Sequence, residues 1–328
     1  MKTVITSRPI ISIQDIQSLV EKRYALKKFT CRLYRSTLNY IYLLEDSTSR
    51  YIFKLRHDDS TDLQELKGEI ELLAILQLNA VSVAAAIPDQ TGAYIQFLEH
   101  LSGICYGVLY VYAPGKTHYY LDEKQVATFA KELAKMHNVT AGLQLNSKKK
   151  EYNLDTLFTY PLAKLVVACK SSDEDLTWLN ETSTLVRNKL AQFFQYNMSY
   201  GYCHYDLLPT NFHYDEDGQI MFFDFELCGR GHLINDLVSF YCHYFLLIMH
   251  NQGTKGEADR ALFLLVKNYT KIRPITAIEM EAFPYFGFAF WIFHLSHEYI
   301  KNDFVLEPEY LKQRLLIIRT WVNWFLQF

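Results

Sequence analysis

Asp206, Asn211 and Asp224 stand within a stretch rich in aromatic and aliphatic residues, HYDLLPTNFHYDEDGQIMFFDFE, which occupies residues 204–226. A carboxylate beside apolar side chains is costly unless it is paired, hydrogen-bonded or bound to a metal. A fold that contains this stretch must therefore either expose these groups to water or bring a cation to them.

The spacing within this stretch is typical of a β-hairpin. Asp217-Gly218 is a turn dipeptide, and it lies between the strand-like runs NFHY and QIMFF. The start of one strand then lies beside the end of the next, so we expect Asn211 and Asp224 to converge. An amide oxygen and a carboxylate are ligands suited to Mg²⁺, and the nearby Asp206 is placed to accept a proton from an attacking hydroxyl. The alternative is an acidic hairpin whose ends are solvated.

The first third of the chain has a β-rich pattern. Ser12 and Asp15 form a capping-box pair that predicts a helix to about Tyr24. Five strand-like runs follow, and a helical run over about residues 61–79 separates the first three from the last two. The strand-like runs are LKKFTCRLYRS, NYIYLLED, RYIFKLRH, AYIQFL and GVLYVY.

The pattern changes at APGK, residues 113–116. Helical periodicity dominates from there on, interrupted only by the hairpin at residues 211–226. We therefore predict an α+β protein with two lobes. Residues 1–112 form a β-rich N-terminal lobe, and residues 113–328 form a mainly helical C-terminal lobe.

The composition of the 328 residues limits the expected partners. Lysine and arginine total 33 against 36 aspartates and glutamates, which gives no basic footprint for nucleic acid or anionic lipid. The longest apolar stretches, residues 239–249 and 282–295, are too short to cross a bilayer and predict buried helices. The start of the chain lacks a signal-peptide core, and the six cysteines show no C-x-x-C spacing. We expect a reduced, cytoplasmic protein with a small-molecule partner, no nucleic acid and no membrane.

An acidic residue, Glu69, falls within the apolar stripe of the predicted helix, because leucines lie three, four and seven residues from it. Lys54, which alternates with apolar residues on the preceding strand, offers it a cation. The expectation is a Lys54–Glu69 ion pair that presents an ammonium group to a phosphate; the alternative is two surface charges. Glu71 and Lys67 form an i,i+4 pair off the stripe, and we expect both to be solvated.

The motif HYDLLPTN has the form H-x-D-x-x-x-x-N, and FFDFE follows it at short distance. This pair resembles the catalytic and metal-binding motifs of the aminoglycoside phosphotransferase family, a kinase-like group that includes choline, homoserine and fructosamine kinases. The segments STLNYIY, LAKMH and GRGHLINDL extend the resemblance over roughly residues 25–245. It implies a protein-kinase-like fold and an ATP- and Mg²⁺-dependent transfer of phosphate to a hydroxyl of a small molecule.

The resemblance also implies roles for residues near the hairpin. Asp206 would be the catalytic base or hydroxyl-orienting residue, and His204 a structural member of its loop. Asn211 and Asp224 would bind Mg²⁺. Asp236 would support the catalytic loop through backbone hydrogen bonds.

In the first lobe the resemblance implies nucleotide-binding roles. Lys54 would bind the α- and β-phosphates, with Glu69 orienting it, and the loop from Ser36 to Asn39 would cover the phosphates. The backbone of the hinge would meet the adenine of ATP. The hinge consists of Tyr110, Val111, Tyr112 and Ala113.

Three features of the sequence bear on function. Tyr205 stands where the family has glycine, and the phosphate loop YRSTLN contains no glycine. The segment between Asp224 and Asp236 is too short for the activation segment of a typical protein kinase, which favours a small-molecule substrate. The alternatives are a protein Ser/Thr kinase of the same fold and a non-catalytic nucleotide-binding module.

The sequence leaves the acceptor open. Ile292 and His297 stand where homoserine-kinase relatives would have arginines, which argues against a carboxylate-bearing acceptor. Aromatic residues of the late helices suit a sugar or an amine, and the acidic run SSDEDLTWLNE is the only feature that favours an aminoglycoside. We expect four late histidines to be satisfied or surface residues rather than metal ligands. They are His243, His250, His294 and His297.

Overall fold

The computed structural model describes residues 11–36, 39–57, 61–100, 103–168, 173–301 and 308–326. The chain divides into two compact units. The first comprises Met1–Pro114 and Leu145–Lys148, and the second comprises Gly115–Gln144 and Lys149–Phe328. The chain start, residues 37–38 of the expected phosphate loop and residues 171–172 of the acidic run lie outside the described residues.

The first unit is an antiparallel sheet with two helices. Its strands lie in the order β1-β2-β3-β6-β4, and β5 also pairs with β6. The elements are α1 (Ile13–Tyr24), β1 (Thr30–Ser36), β2 (Tyr40–Glu45), β3 (Arg50–His57), α2 (Leu63–Leu78), β4 (Ala86–Ile87), β5 (Ile95–His100) and β6 (Gly103–Val111). All five predicted strands and both predicted helices are present. The two-residue β4 was missed because so short a strand has no periodicity to detect.

Local signals fix both helices of this unit. Ser12 Oγ accepts a hydrogen bond from the Asp15 amide at 3.1 Å, as the capping pair predicted. Asp62 caps α2 by accepting from Gln64 N at 2.8 Å. Helix α1 buries Ile16 and Val20 in the apolar cluster that contains Phe53 of the sheet. The capped start and the buried face of this helix are therefore both encoded locally in the sequence.

The second unit is mainly helical. Its helices are α3 (Glu123–Thr140), α4 (Tyr160–Ala168), α5 (Asp173–Phe193), α6 (Ile234–Met249), α7 (Lys255–Tyr269), α8 (Ala277–Lys301) and α9 (Pro308–Phe325). Its strands are β7 (Lys150–Glu151), β8 (Tyr200–Cys203), β9 (Phe212–Tyr214), β10 (Ile220–Phe222) and β11 (Gly229–His232). The described part of this unit also contains one π-helical turn (Asp155–Thr159) and two 3₁₀ turns (Pro209–Asn211 and Phe225–Leu227).

The expectation that only the hairpin interrupts the helices was wrong. Strands β7, β11 and β8 form a second small sheet, in that order. These strands are two to four residues long, too short for an alternating pattern to be visible. Two of them enclose the hairpin in sequence, so this sheet sets the position where the predicted catalytic loop begins.

The predicted hairpin is confirmed. β9 pairs with β10 in antiparallel register, with Phe212 opposite Phe222. Phe129 of α3 contacts both rings, at centroid distances of 5.2 and 5.5 Å, and contacts Phe240 of α6 at 4.9 Å. The turn is closed by Gly218, which adopts a left-handed conformation with φ +75°. Aromatic packing therefore anchors the hairpin to two helices of its own unit.

The glycine of the APGK segment permits a close backbone approach. Gly115 has φ +88°, and a Cβ there would lie 1.9 Å from the Tyr214 carbonyl oxygen. Lys116 and Tyr214 exchange backbone hydrogen bonds of 3.1 and 3.2 Å at this point. No larger residue fits, so this turn ties the start of the second unit to the hairpin.

A second close approach fixes helix α8 against α9. The Trp321 ring lies over Gly287, where a Cβ would meet a ring carbon at 1.8 Å. The indole N–H donates to the carbonyl of Pro284, which lies inside α8, at 2.9 Å. Both predicted apolar helices, α6 and α8, are largely buried. Among the described residues, no helix has the length and hydrophobicity needed to span a bilayer.

His232 at the end of β11 is buried among aromatic rings. Its ring lies 4.4 Å from that of Phe194, 5.1 Å from that of Tyr200 and 5.6 Å from that of Phe286. Burial lowers the pKa of His232 to about 4, although the charge of Glu279 and a hydrogen bond from the imidazole to the Ser199 backbone oppose the shift. The imidazole is therefore neutral in the folded protein at pH 7.

We predict that His232 makes the fold sensitive to acid. The unfolded chain binds a proton below its ordinary pKa near 6.5, whereas the folded chain resists doing so down to about pH 4. The contribution of His232 to the free energy of unfolding is therefore fully present above pH 6.5. It falls by as much as about 3 kcal/mol as the pH drops to 4. Urea unfolding at several pH values measures this, and His232→Phe should flatten the acid side of the profile. His250→Phe, at an exposed site, is the control; equal acid losses in wild type and His232→Phe would contradict the prediction.

Candidate active site

The predicted catalytic residue Asp206 is held by Asn211. The Asn211 side-chain nitrogen donates to the Asp206 backbone carbonyl at 2.7 Å and to its Oδ2 at 2.8 Å. The local chain allows this because residues 209–211 form a 3₁₀ turn that folds back on the preceding loop. With the amide nitrogen committed to Asp206, the amide oxygen of Asn211 is the atom that suits a hard cation.

The buried carboxylate of Asp236, in the first turn of α6, organises the same loop. It accepts backbone hydrogen bonds from His204 N at 2.8 Å and from Tyr205 N at 2.7 Å. His137 Nε2 of α3 lies 3.0 Å from the same carboxylate, and its other ring nitrogen contacts the Tyr269 hydroxyl at 2.7 Å. These bonds confirm the predicted structural role of Asp236 and give the LAKMH histidine a role in the same network.

His204 connects the catalytic loop to the strand that precedes Asp224. Its Nδ1 accepts from the Asp206 backbone N–H at 3.4 Å, so Nε2 carries the ring proton and donates to the Phe223 carbonyl at 2.9 Å. The ring is fully buried and packs on Phe225. His204 is a structural member of the loop, as predicted.

Asp224 follows β10 and begins the second 3₁₀ turn. It has a left-handed conformation, φ 62° and ψ 61°, and it is exposed. The preceding Phe223 N–H donates to the Asn211 carbonyl at 2.9 Å. The hairpin therefore places Asn211 and Asp224 at one end, as the sequence predicted. Their binding of a metal stays a prediction.

Tyr205, which stands where the resembled family has glycine, occupies a position with a left-handed backbone. Its φ is +69°, which is costly for a residue with a Cβ. Its ring is buried and stacks on Tyr152 at a centroid distance of 3.7 Å and an angle of 5°. The ring of Phe293 meets its edge at 5.1 Å. Stacking offsets the backbone cost, so the loop keeps its shape without glycine.

In the first unit, Glu69 binds Arg56, a cation that the sequence pattern did not single out. Arg56 donates from Nη1 to Oε2 and from Nη2 to Oε1, both at 2.8 Å. The Tyr110 hydroxyl donates to Oε1 at 3.0 Å. Both charged side chains are at most 3% exposed. The predicted inward-facing glutamate is confirmed, and a bidentate guanidinium binds it.

The signal for Arg56 was present in the strand alternation. Residues two apart in a strand share a face, so Arg56 lies on the same face of β3 as Lys54. Lys54 is buried and lies opposite Ile41 and Val108 in the sheet register. The choice between two cations on one face cannot be made from spacing. The Lys54–Glu69 pair and the contact of Lys54 with phosphate stay predictions.

The expectation that Glu71 is solvated was wrong. Its carboxylate accepts from the backbone and side chain of Asn146, both at 2.8 Å, and from Ser147 N at 2.9 Å. Partial burial raises the pKa of Glu71, but these hydrogen bonds outweigh it and hold the pKa below its usual value. Residues 145–148 thus secure α2, the helix that carries Glu69. No sequence pattern connects positions so far apart.

The remaining predicted nucleotide-binding residues lie at strand ends. Ser36 is the last residue of β1, and Asn39 is buried immediately before β2. Tyr110 and Val111 end β6, and Tyr112 and Ala113 follow it. The backbone of the four hinge residues is therefore at the end of a central strand, while the Tyr110 side chain belongs to the Glu69 network. Their contact with a nucleotide stays a prediction.

The model of the phosphotransferase enzyme family (APH) matches residues 30–274. An amicoumacin kinase of Bacillus subtilis is 27% identical over 292 residues, which cover 81% of this chain and 84% of that protein. An uncharacterized protein of Synechocystis sp. is 26% identical over 306 residues, which cover 92% of this chain and 82% of that protein.

Two solved structures share the fold at low sequence identity. An amicoumacin kinase in complex with AMP-PNP, Ca²⁺ and Ami superposes with a TM-score of 0.76 at 19% identity, covering 94% of this chain and 93% of that chain. A microcompartment-associated aminopropanol kinase also gives 0.76, at 17% identity, covering 94% and 95%. The fold is that of kinase-like phosphotransferases, which confirms the predicted fold class. Because the family model spans most of the chain and includes both predicted motifs, this protein belongs to the phosphotransferase enzyme family.

Proposed function

We propose that this protein is an ATP- and Mg²⁺-dependent phosphotransferase that phosphorylates a hydroxyl group of a small molecule. The observation that carries the proposal is the catalytic loop, in which Asn211 and Asp236 fix both the side chain and the backbone around Asp206. Phosphoryl transfer requires mainly positioning and charge neutralisation, and this loop is built for positioning.

In the proposed reaction, Asp206 orients the acceptor hydroxyl and takes its proton. The hydroxyl oxygen forms a bond to the γ-phosphorus as the bond from that phosphorus to the ADP oxygen breaks. The amide oxygen of Asn211 and the carboxylate of Asp224 hold Mg²⁺, which neutralises phosphate charge when bound. Their position at one end of the hairpin supports this assignment.

In the first unit, Lys54 binds the α- and β-phosphates, and the loop from Ser36 to Asn39 covers them. Glu69 orients Lys54 while Arg56 and Tyr110 hold Glu69 in place. The burial of Lys54 on the same strand face as Arg56 supports this arrangement. The backbone of the hinge after β6 binds the adenine. A similar fold holds AMP-PNP together with Ca²⁺, which supports a nucleotide and a divalent cation here.

The acceptor is a small molecule with a hydroxyl group, in the class of amino alcohols, sugars and aminoglycoside-like compounds. Relatives and structural neighbours named as amicoumacin and aminopropanol kinases support this class. The enzyme works in the cytoplasm, where ATP is available. The five described cysteines are thiols, which fits a reducing compartment.

A phosphorylation screen tests the proposed reaction. The protein is incubated with ATP, Mg²⁺ and a pooled library of metabolites and antibiotics, and mass spectrometry detects compounds that gain one phosphoryl group. Asp206→Asn retains the shape of the side chain but not its basicity, so we expect transfer to fall by about 10²- to 10⁴-fold with ATP affinity nearly intact. Transfer by Asp206→Asn at the wild-type rate would show that Asp206 is not catalytic.

Removing the second metal-binding residue should act on the nucleotide. Asp224→Ala deletes the exposed carboxylate that we assign to Mg²⁺, and we expect Mg²⁺-dependent turnover to fall by about 100-fold or more. Phosphorylation assays measure the turnover, and calorimetric titration of ATP with and without Mg²⁺ measures the nucleotide affinity. Glu226→Ala, two residues along the same turn, is the matched control. Unchanged ATP affinity and rate in Asp224→Ala would rule out the metal assignment.

Two substitutions separate the structural and functional roles of Glu69. Arg56→Met leaves a buried carboxylate without its guanidinium, and we expect a loss of about 3–5 kcal/mol in the free energy of unfolding. Adding Glu69→Leu should restore only part of that loss, because it removes the unpaired carboxylate but leaves the buried Lys54 ammonium without the anion that orients it.

Urea unfolding and phosphorylation rate are then compared for both variants. Because Glu69 also orients Lys54, the double variant should recover part of the stability of wild type but remain poorly active. Recovery of full activity would show that Glu69 serves only as the partner of Arg56. An Arg56→Met variant as stable as wild type would show that the buried pair does not hold α2.

A further inference from the structure

Helix α8 contacts the catalytic loop at two successive residues. Phe293 meets the edge of the buried Tyr205 ring at a centroid distance of 5.1 Å. His294 follows, and its Nε2 lies 3.9 Å from Oδ1 of Asp206. The loop residues that contact α8 are also successive, so the helix and the loop run past each other in register at this point.

The Asp206 carboxylate is fixed at one oxygen and lacks a hydrogen bond at the other. Oδ2 accepts the 2.8 Å hydrogen bond from the Asn211 side chain. Oδ1 is buried, and no donor among the described residues reaches it. Leaving a buried carboxylate oxygen without a donor is unfavourable, and the imidazole nitrogen at 3.9 Å stands on the side where a donor is required.

The His294 ring is held firmly at this position. It packs on Phe290 at a centroid distance of 4.0 Å and against the edge of Phe293 at 5.6 Å. Its side chain is 16% exposed. On the same helix face, a small cavity beside the ring is lined by the ion pair of Glu298 and Arg314, whose atoms are 2.8 Å apart. The seating of Trp321 on Gly287 fixes α8 itself.

We infer that His294 is a positioning residue for Asp206. A distance of 3.9 Å is beyond a hydrogen bond, and small side-chain rotations in the complex with substrate close it, as is common for catalytic contacts. The imidazole N–H then donates to Oδ1, while Asn211 holds Oδ2. Held at both oxygens, the carboxylate keeps one orientation and presents the remaining lone pair of Oδ2 to the acceptor hydroxyl.

This inference rests on the proposed function, because a fixed carboxylate matters only if Asp206 receives the hydroxyl proton. Sequence spacing did not distinguish His294 from the other late histidines, because its acidic neighbour one helical turn on, Glu298, pairs with Arg314. The relation to Asp206 arises from the crossing of α8 and the loop. It assigns to α8 a role in orienting the catalytic group in addition to any role in binding the acceptor.

Two substitutions at His294 separate the donor from the ring. His294→Phe preserves the aromatic packing on Phe290 and removes the N–H, whereas His294→Gln retains an N–H at similar reach. With the compound phosphorylated in the screen as acceptor, we expect His294→Phe to lower kcat by about 10- to 100-fold. The KM for that compound and the affinity for ATP should stay within about twofold, and His294→Gln should recover most of kcat.

A structural role for the ring predicts a different pattern. His294→Gln would then be worse than His294→Phe, because it loses the packing that Phe keeps. His250→Phe, at the exposed end of α6, makes the same chemical change away from the loop and should leave kcat unchanged. Wild-type kcat in His294→Phe, or a fall in kcat that His294→Gln does not relieve, would overturn the inference.

A thermal double-substitution cycle tests the contact without any acceptor. Tm is measured for wild type, Asp206→Asn, His294→Phe and the double variant. We expect non-additive Tm shifts, because Nε2 and Oδ1 already lie 3.9 Å apart in the free protein, so each single substitution removes the same polar contact. Additive shifts together with an unchanged kcat would refute the contact. Coupled Tm shifts in a protein that phosphorylates nothing in the screen would instead refute the proposed function and leave the contact intact.

Discussion

The second unit depends on the hydrogen bonds that the buried carboxylate of Asp236 accepts. It accepts two backbone N–H groups of the catalytic loop and lies within hydrogen-bonding distance of the His137 imidazole. A loop with a left-handed residue at Tyr205 has no regular secondary structure to satisfy its amides. Asp236, in the first turn of α6, supplies the acceptors for these amides. The helix core and the reactive loop therefore form one hydrogen-bonded structure.

Both units handle buried charge in the same way. Glu69 is surrounded by a bidentate arginine and a tyrosine hydroxyl, and Asp236 by two amides and an imidazole. In each case the donors come from elements distant in sequence, so the carboxylate fixes the relative positions of those elements within its unit. A misplaced element would leave a charge without donors, which is far more costly than a lost apolar contact. These carboxylates therefore specify geometry as well as contributing stability.

Much of this architecture could be predicted from the sequence because its signals are local. The Ser12 cap, the alternation of β3 and the Asp217-Gly218 turn each act within a few residues, and each was read correctly. The Arg56–Glu69 pair was not predicted, because Lys54 and Arg56 share one strand face and spacing cannot rank them. The strands β7, β8 and β11 are too short for a period. The approach of His294 to Asp206 depends on how two distant elements cross, which no local pattern encodes.

The hydrogen bonds from residues 145–148 to Glu71 affect the order in which the protein folds during translation. The first unit is discontinuous in sequence: it includes Leu145–Lys148, which are synthesised only after the whole of α3. Until then the Glu71 carboxylate lacks its amide donors, and Asp62 at the start of α2 lacks its 3.1 Å contact with Lys148. The nascent sheet can form early, but its helix α2 is secured only when the chain returns to it. Completion of the first unit is thereby delayed until translation of the second has begun.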